Sequence, residues 1–113
     1  MENKMKKIIN LTPHMIVLND GTEFPPSGTI ARVSSSFSKV DEIDGIPIFS
    51  ITYGDVENLP PEEENTIFIV SSMVLEALKN ENRSDVVAPA TGHPSVVRDE
   101  KGQIKSVPGF VKL

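Results

Sequence analysis

Apolar residues fall in short runs along this chain, each broken by turn-forming residues, a pattern that predicts short strands more than long helices. Ile8-Ile9-Asn10-Leu11 reads as a strand stopped at Pro13, which cannot donate to a ladder. Met15 to Leu18 resumes as a strand, and Asn19-Asp20-Gly21 supplies a tight turn that returns through Thr22 to Phe24. After the loop Pro25-Pro26-Ser27-Gly28, Thr29 to Val33 reads as a strand. Thr29, Ala31 and Val33 then share one face, with Ile30 and Arg32 on the other. Ser34-Ser35-Ser36 reads as a loop or an edge. A second hairpin is signalled by Asp44-Gly45, between Val40-to-Ile43 and the β-prone run Ile46 to Tyr53.

Gly54 to Thr66 reads as an exposed connection. Ile67-Phe68-Ile69-Val70 is a continuous apolar run, as expected of a strand buried on both faces. Val74, Leu75 and Leu78 then follow a helical stripe, which predicts one main helix over about 71–80 with a serine cap. Asp85 to Ala88 reads as a strand ended by Pro89. The last unit reads as a hairpin, Ser95 to Asp99 and Gln103 to Val107, turning at Glu100-Lys101-Gly102. The expected class is α+β: a single domain over 1–113, with a mixed, mostly antiparallel sheet of short strands and hairpins and one main helix.

Composition narrows the function. The 113 residues carry eleven Lys and Arg against sixteen Asp and Glu, a net charge of −5 with neutral histidines. Duplex nucleic acid is therefore not an expected partner, since phosphate binding needs a basic stripe. Cysteine is absent, which removes disulfides, thiolate metal sites and thiol nucleophiles. No apolar run approaches a membrane span, and only Ile8 and Ile9 follow the basic start before Asn10, too little for a secretory h-region. A soluble cytoplasmic domain without membrane partners is expected. Asp41 to Glu64 holds eight acids and neither Lys nor Arg, which predicts a solvated acidic face.

Four clusters are candidates for chemistry. Asn10-Leu11-Thr12-Pro13-His14 places an amide, a hydroxyl and an imidazole between two strands; the same residues also suit a turn whose polar side chains satisfy backbone groups. Ser27, Gly28 and Thr29, running to Arg32, offer hydroxyls and a guanidinium to a phosphate or carboxylate, or form an ordinary hairpin loop. Ser71 and Ser72 stand where a helix starts, as anion ligands or as plain caps. Arg83 and Arg98, with Thr91-Gly92-His93 between them, offer two further cationic groups and a second His to a polar cleft, though each Arg has an acid close by in sequence, Asp85 and Asp99. His14 and His93 have no metal-ligand spacing, and no hydrolase signature is present, so neither metal nor cofactor is expected. Arg32 is the favoured anchor, because a guanidinium on a partly apolar strand face needs an anionic partner or a route to water.

Ile9-Asn10-Leu11-Thr12-Pro13-His14 resembles a family of small, mostly uncharacterised proteins of bacteriophages and prophage-bearing bacteria. Further matching segments are Pro26 to Val33, Gly45 to Ile48, Tyr53 to Val56, Leu59-Pro60, Ile67 to Ser71, Arg83 to Pro89 and Val97 to Gly102. The resemblance covers nearly the whole chain in order. By analogy with small phage antagonists of host defence, it implies a non-catalytic protein that binds and sequesters a small phosphorylated nucleotide of antiviral signalling in the host cytoplasm. The expected ligand residues are Asn10, Thr12, His14, Ser27, Arg32, Ser71, Ser72, Arg83 and Arg98. A homo-oligomer with the site between protomers is expected, since so short a chain rarely encloses a nucleotide alone. The alternatives are a phosphodiesterase using His14 as general acid or base, and an inhibitor that meets a basic host factor with its acidic face.

Overall fold

The computed structural model describes residues 7–79 and 81–112. Within them the chain is dominated by strands, ten in number, with one short helix. Four strands make the central sheet: β1 (Lys7–Asn10), β6 (Thr66–Ile69), β7 (Val86–Pro89) and β10 (Phe110–Val111), in the order β1-β6-β7-β10. The first three run parallel and β10 closes the edge antiparallel. Three separate two-stranded ribbons surround this sheet: β2 (Ile16–Val17) with β3 (Glu23–Phe24), β4 (Arg32–Ile43) with β5 (Ile46–Glu57), and β8 (Val97–Arg98) with β9 (Ile104–Ser106). The mixed sheet expected from sequence is present, but its centre is parallel, and apart from β7 with β10 the antiparallel pairs stand outside it as ribbons.

The run Ile67 to Val70 falls where a doubly buried strand belongs. Inner strand β6 sends Phe68 and the following Val70 to one side and Ile69 to the other. On the first side Phe68, Val70, Val86 and Ala88 pack under Val74, Leu75 and Leu78 of the helical segment, with Val33 and Val56 from the base of the long ribbon. On the second side Ile69 meets Ile16 and Val107, flanked by Phe24, Val87 and Phe110. Phe68, Ile69 and Val70 expose at most 1% of their surface. The sheet is thus a thin layer between two small apolar clusters, each too small to stand alone.

The helix, α1 (Ser72–Ala77), is shorter than the 71–80 expected. Ser71 caps it by accepting a hydrogen bond from the Val74 amide at 3.3 Å, and Leu78 leaves helical geometry at φ −92°, ψ 3°. Asn80, at the end of the expected helix, lies outside the described residues. No helix among the described residues is long and apolar enough to cross a membrane.

The β4–β5 ribbon departs furthest from the sequence reading. Thr29 to Ala31 are not strand; β4 begins at Arg32 and continues through Ser34-Ser35-Ser36, which lie on an edge strand, the second of the two readings given them, and not in a loop. β5 likewise runs on to Glu57, into the stretch expected to be a connection. Cross-strand pairing carries these polar residues: Ser36 stands opposite Thr52 and Ser38 opposite Ser50, small hydroxyl pairs, while Ser35 stands opposite the much larger Tyr53. Two bulges, between Val33 and Ser35 and between Lys39 and Asp41, absorb the register shifts. Asp44 and Gly45 both have positive φ, 50° and 81°, the geometry of the tight hairpin their sequence signals.

Candidate functional site

The parallel strands β1, β6 and β7 end on one edge of the sheet, so the segments that follow them gather there. β1 leads toward β2, whose Ile16 packs on the Ile69 side. Its neighbour β6 leads into α1, whose Val74 and Leu75 pack on the Phe68 side. Connections leaving adjacent parallel strands toward opposite faces open a crevice at the carboxyl ends, the place where sheets of this kind hold ligands. A cavity of about 500 Å³ lies at this edge. Its polar lining is Thr12, His14, Ser71, Ser72, Thr91, Lys105 and Ser106; its apolar lining includes Met15, Ile16, Val17, Ile104 and Val107.

The wall after β1 is built by Asn10. Its side chain is 2% exposed and fully engaged: Nδ2 donates to the carbonyls of His14 and Phe24, both at 2.8 Å. Oδ1 accepts from the Thr12 amide at 2.9 Å and from the Thr12 hydroxyl at 2.7 Å. The Thr12 hydroxyl in turn accepts from the His14 amide at 3.3 Å. Ser27 donates through its amide (3.0 Å) and its hydroxyl (2.7 Å) to the Asn10 carbonyl. Asn10 and Ser27 therefore shape the loop, as the turn reading of these residues requires, and neither lines the cavity. The loop delivers an exposed His14 to the rim, where its imidazole has no hydrogen bond or ion pair among the described residues.

Ser71 and Ser72 reach the cavity from the end of β6. With only six residues, α1 aligns too few peptide dipoles to act as an anion site, so both serines enter as hydroxyls of the wall. Thr91 arrives after β7, and Lys105 and Ser106 come from β9 across the cavity. Ser106 is steadied by donating to Asn19 Oδ1 at 2.6 Å, and Asn19 Nδ2 ties this ribbon to the Ser95 carbonyl at 2.9 Å. Sequence reading named Thr91 only beside His93 and missed Lys105 and Ser106. They belong to no local motif, and only the chain topology places them opposite Thr12 and Ser71.

The remaining candidates lie elsewhere. Arg32 stands at the base of the long ribbon, opposite Glu57 in the register, in a shallow polar depression with Thr29 and Asn58. It is exposed, so the desolvation cost expected to demand an anionic partner does not arise. Arg83 forms a two-pronged pair with Asp85, Nε to Oδ1 and Nη2 to Oδ2, both at 2.9 Å, and Nη2 also donates to the Pro60 carbonyl at 2.8 Å. These bonds, chiefly the hydrogen bond from Arg83, hold the Asp85 carboxyl below its ordinary range. Arg83 is thus a clamp on the 58–63 connection. Arg98 donates to the Gly102 carbonyl at 2.8 Å, within the turn that Asp99 Oδ1 closes onto Lys101 and Gln103. His93 does not line the cavity; its Nδ1 accepts from the Ser95 amide at 3.0 Å.

The acids of Asp41 to Glu64 are distributed between the ribbon tip (Asp41, Glu42, Asp44), its base (Asp55, Glu57) and the connection beyond (Glu62, Glu63, Glu64). None of them lines the cavity, and no Asp or Glu from elsewhere does. Among the described residues no three His, Asp or Glu side chains cluster closely enough to hold a metal ion. The chain matches no protein-family model, and neither a curated protein nor a solved structure is similar to it.

Proposed function

We propose that this chain is a phage-type, non-catalytic binding protein that takes up a small phosphorylated nucleotide of host antiviral signalling and withholds it from its receptor. The observation that carries this reading is the charge of the cavity. Its fourteen lining residues include Lys105 and no carboxylate, in a chain of net charge −5. An acidic molecule that keeps acids out of one concavity supports a small anion there while its overall field repels bulk nucleic acid. The volume falls within the roughly 300–1,000 Å³ typical of small-molecule sites. Met15, Val17 and Ile104 suit the face of a base, and Lys105 with the hydroxyls of Ser71, Ser72, Thr91 and Ser106 suits phosphate oxygens.

The free imidazole of His14 is the one feature that favours a phosphodiesterase. A general base of that kind is normally oriented by a carboxylate or carbonyl, and the rim supplies no Asp or Glu for it. Incubation with cyclic dinucleotides and cyclic ADP-ribose isomers separates the readings. Heating the complex and recovering intact ligand supports sequestration; chromatographic appearance of a linear product, lost in His14→Ala, overturns it in favour of catalysis.

A further inference from the structure

The hydroxyls around the cavity differ in where each sends its single proton. Asn10 Nδ2 donates to two carbonyls, which fixes Oδ1 as the acceptor end of that amide. The Thr12 hydroxyl therefore spends its proton on Oδ1 at 2.7 Å, with the His14 carbonyl also in reach at 3.1 Å. Ser106 is committed in the same way. Asn19 Nδ2 donates to the Ser95 carbonyl, so Asn19 Oδ1 takes the Ser106 proton at 2.6 Å. Neither hydroxyl can donate to a ligand oxygen without giving up a bond that shapes the wall.

The remaining donors are uncommitted. Ser71 Oγ accepts from the Val74 amide, which leaves its proton available. The side chains of Ser72, Thr91 and Lys105 make no hydrogen bond or ion pair shorter than 3.5 Å among the described residues, and all three line the cavity. Strand register groups the hydroxyls among them. Ile69 is level with Val87, so two residues further Ser71 is level with Pro89, another lining residue. Ser71 and Ser72 thus leave β6 beside the segment that carries Thr91 from β7, at the usual strand spacing of about 4.8 Å. On the other side of β6, Asn10 is level with Ile69, which brings the committed Thr12 level with Ser71. Available protons therefore lie at the ends of β6 and β7. The end of β1 offers a spent hydroxyl and then the apolar Met15, Ile16 and Val17.

We infer that the phosphate of the ligand is held by Ser72, Thr91 and Lys105, with the base turned toward Met15 and Val17; this assignment rests on the nucleotide reading and narrows the hydroxyls that serve it. A phosphate oxygen only accepts, so it selects groups that have a proton to give, and Lys105 adds the charge. The reverse placement would set an anion against Met15 and Val17, where it would lose water without gaining donors. Thr12 and Ser106 hold their loops in place. Ser71 has a proton to give as well, but replacing it would also uncap α1, so Ser72 and Thr91 are the clean positions to change.

Calorimetric titration of cyclic di-AMP and cyclic ADP-ribose into wild type, Ser72→Ala, Thr91→Val and Ser106→Ala tests the assignment, each variant first confirmed as folded by circular dichroism. Ser72→Ala and Thr91→Val should each weaken binding about tenfold, and Ser106→Ala should lose less than either. The phosphorus NMR resonance of the bound probe should also move between wild type and Thr91→Val, a shift that a purely structural role or a contact to the base would not give. Binding by the wild type with affinity and phosphorus resonance unchanged in both Ser72→Ala and Thr91→Val overturns the assignment and leaves the nucleotide reading standing. So does a loss of affinity confined to Ser106→Ala. No binding of either probe by the wild type overturns the reading and the assignment together.

Discussion

Thr12 is held by Asn10 through two hydrogen bonds to one oxygen, amide to Oδ1 at 2.9 Å and hydroxyl to Oδ1 at 2.7 Å. This relationship converts the end of strand β1 into the wall of the cavity. It spends the whole side chain of Asn10 on backbone groups and the Thr12 hydroxyl, and leaves the His14 imidazole unbonded at the rim. The division explains why residues adjacent in sequence have different consequences when changed.

Asn10→Ala strands the buried Thr12 amide and removes a donor from the part-buried carbonyls of His14 and Phe24, of which His14 keeps the Thr12 hydroxyl at 3.1 Å. The expected cost is about 2–3 kcal/mol of unfolding free energy. His14→Ala, at an exposed position, should change stability by less than about 0.5 kcal/mol. Chemical denaturation of the two variants measures the difference; equal stabilities would contradict the scaffold role of Asn10.

Arg83 and Asp85 give the fold a defined acid sensitivity. Asp85 is depressed in the folded chain, so its contribution is complete above the unfolded value near 3.9 and is lost as pH falls through the lower folded value. Removing one partner of so covered a pair, as in Arg83→Gln, should cost about 3 kcal/mol at neutral pH, because a carboxylate is left buried. The variant should also lose part of the wild-type decline in stability below about pH 4. Melting curves from pH 3 to pH 7 report both; a parallel decline in the two proteins would contradict the pairing.

At the first bulge, β4 and β5 approach closely enough that a Cβ on Gly54 would lie 2.5 Å from the Ser34 hydroxyl. Gly54 does not have positive φ, so alanine there is otherwise favoured by its smaller unfolded-state entropy. Gly54→Ala should therefore be more favourable in a Ser34→Ala background than alone, by about 1 kcal/mol. A double-mutant cycle reads this coupling directly, and additive effects would place the two residues apart.

What the sequence revealed follows the range of the forces involved. Asp44-Gly45 is legible because positive φ is a local demand, and Ile67 to Val70 because burial on both faces needs an unbroken apolar run. Thr12 with His14, and Ser71 with Ser72, were legible as two separate polar clusters, and the fold brings both to one cavity. Lys105 and Ser106 were not, because their nearness to Thr12 depends on strand order and parallel direction, which no local pattern encodes. Ser34 to Ser36 left loop and edge both open, and cross-strand pairing with Tyr53 and Thr52 decides for the edge despite their weak individual preference for strand. Arg32 was overvalued for a related reason. The strand that would have half-buried it starts at Arg32 itself, leaving the side chain in water.

Calorimetric titration of cyclic dinucleotides and cyclic ADP-ribose isomers into three proteins, wild type, Lys105→Ala and Arg32→Ala, tests the central claim most directly. If the cavity at the carboxyl edge of β1, β6 and β7 holds the phosphates, Lys105→Ala should lose about 2 kcal/mol of affinity, roughly thirtyfold. Arg32→Ala should then bind as the wild type does. Binding that survives Lys105→Ala and is lost in a folded Arg32→Ala would move the site to the base of the ribbon, and no binding by the wild type would contradict nucleotide sequestration itself.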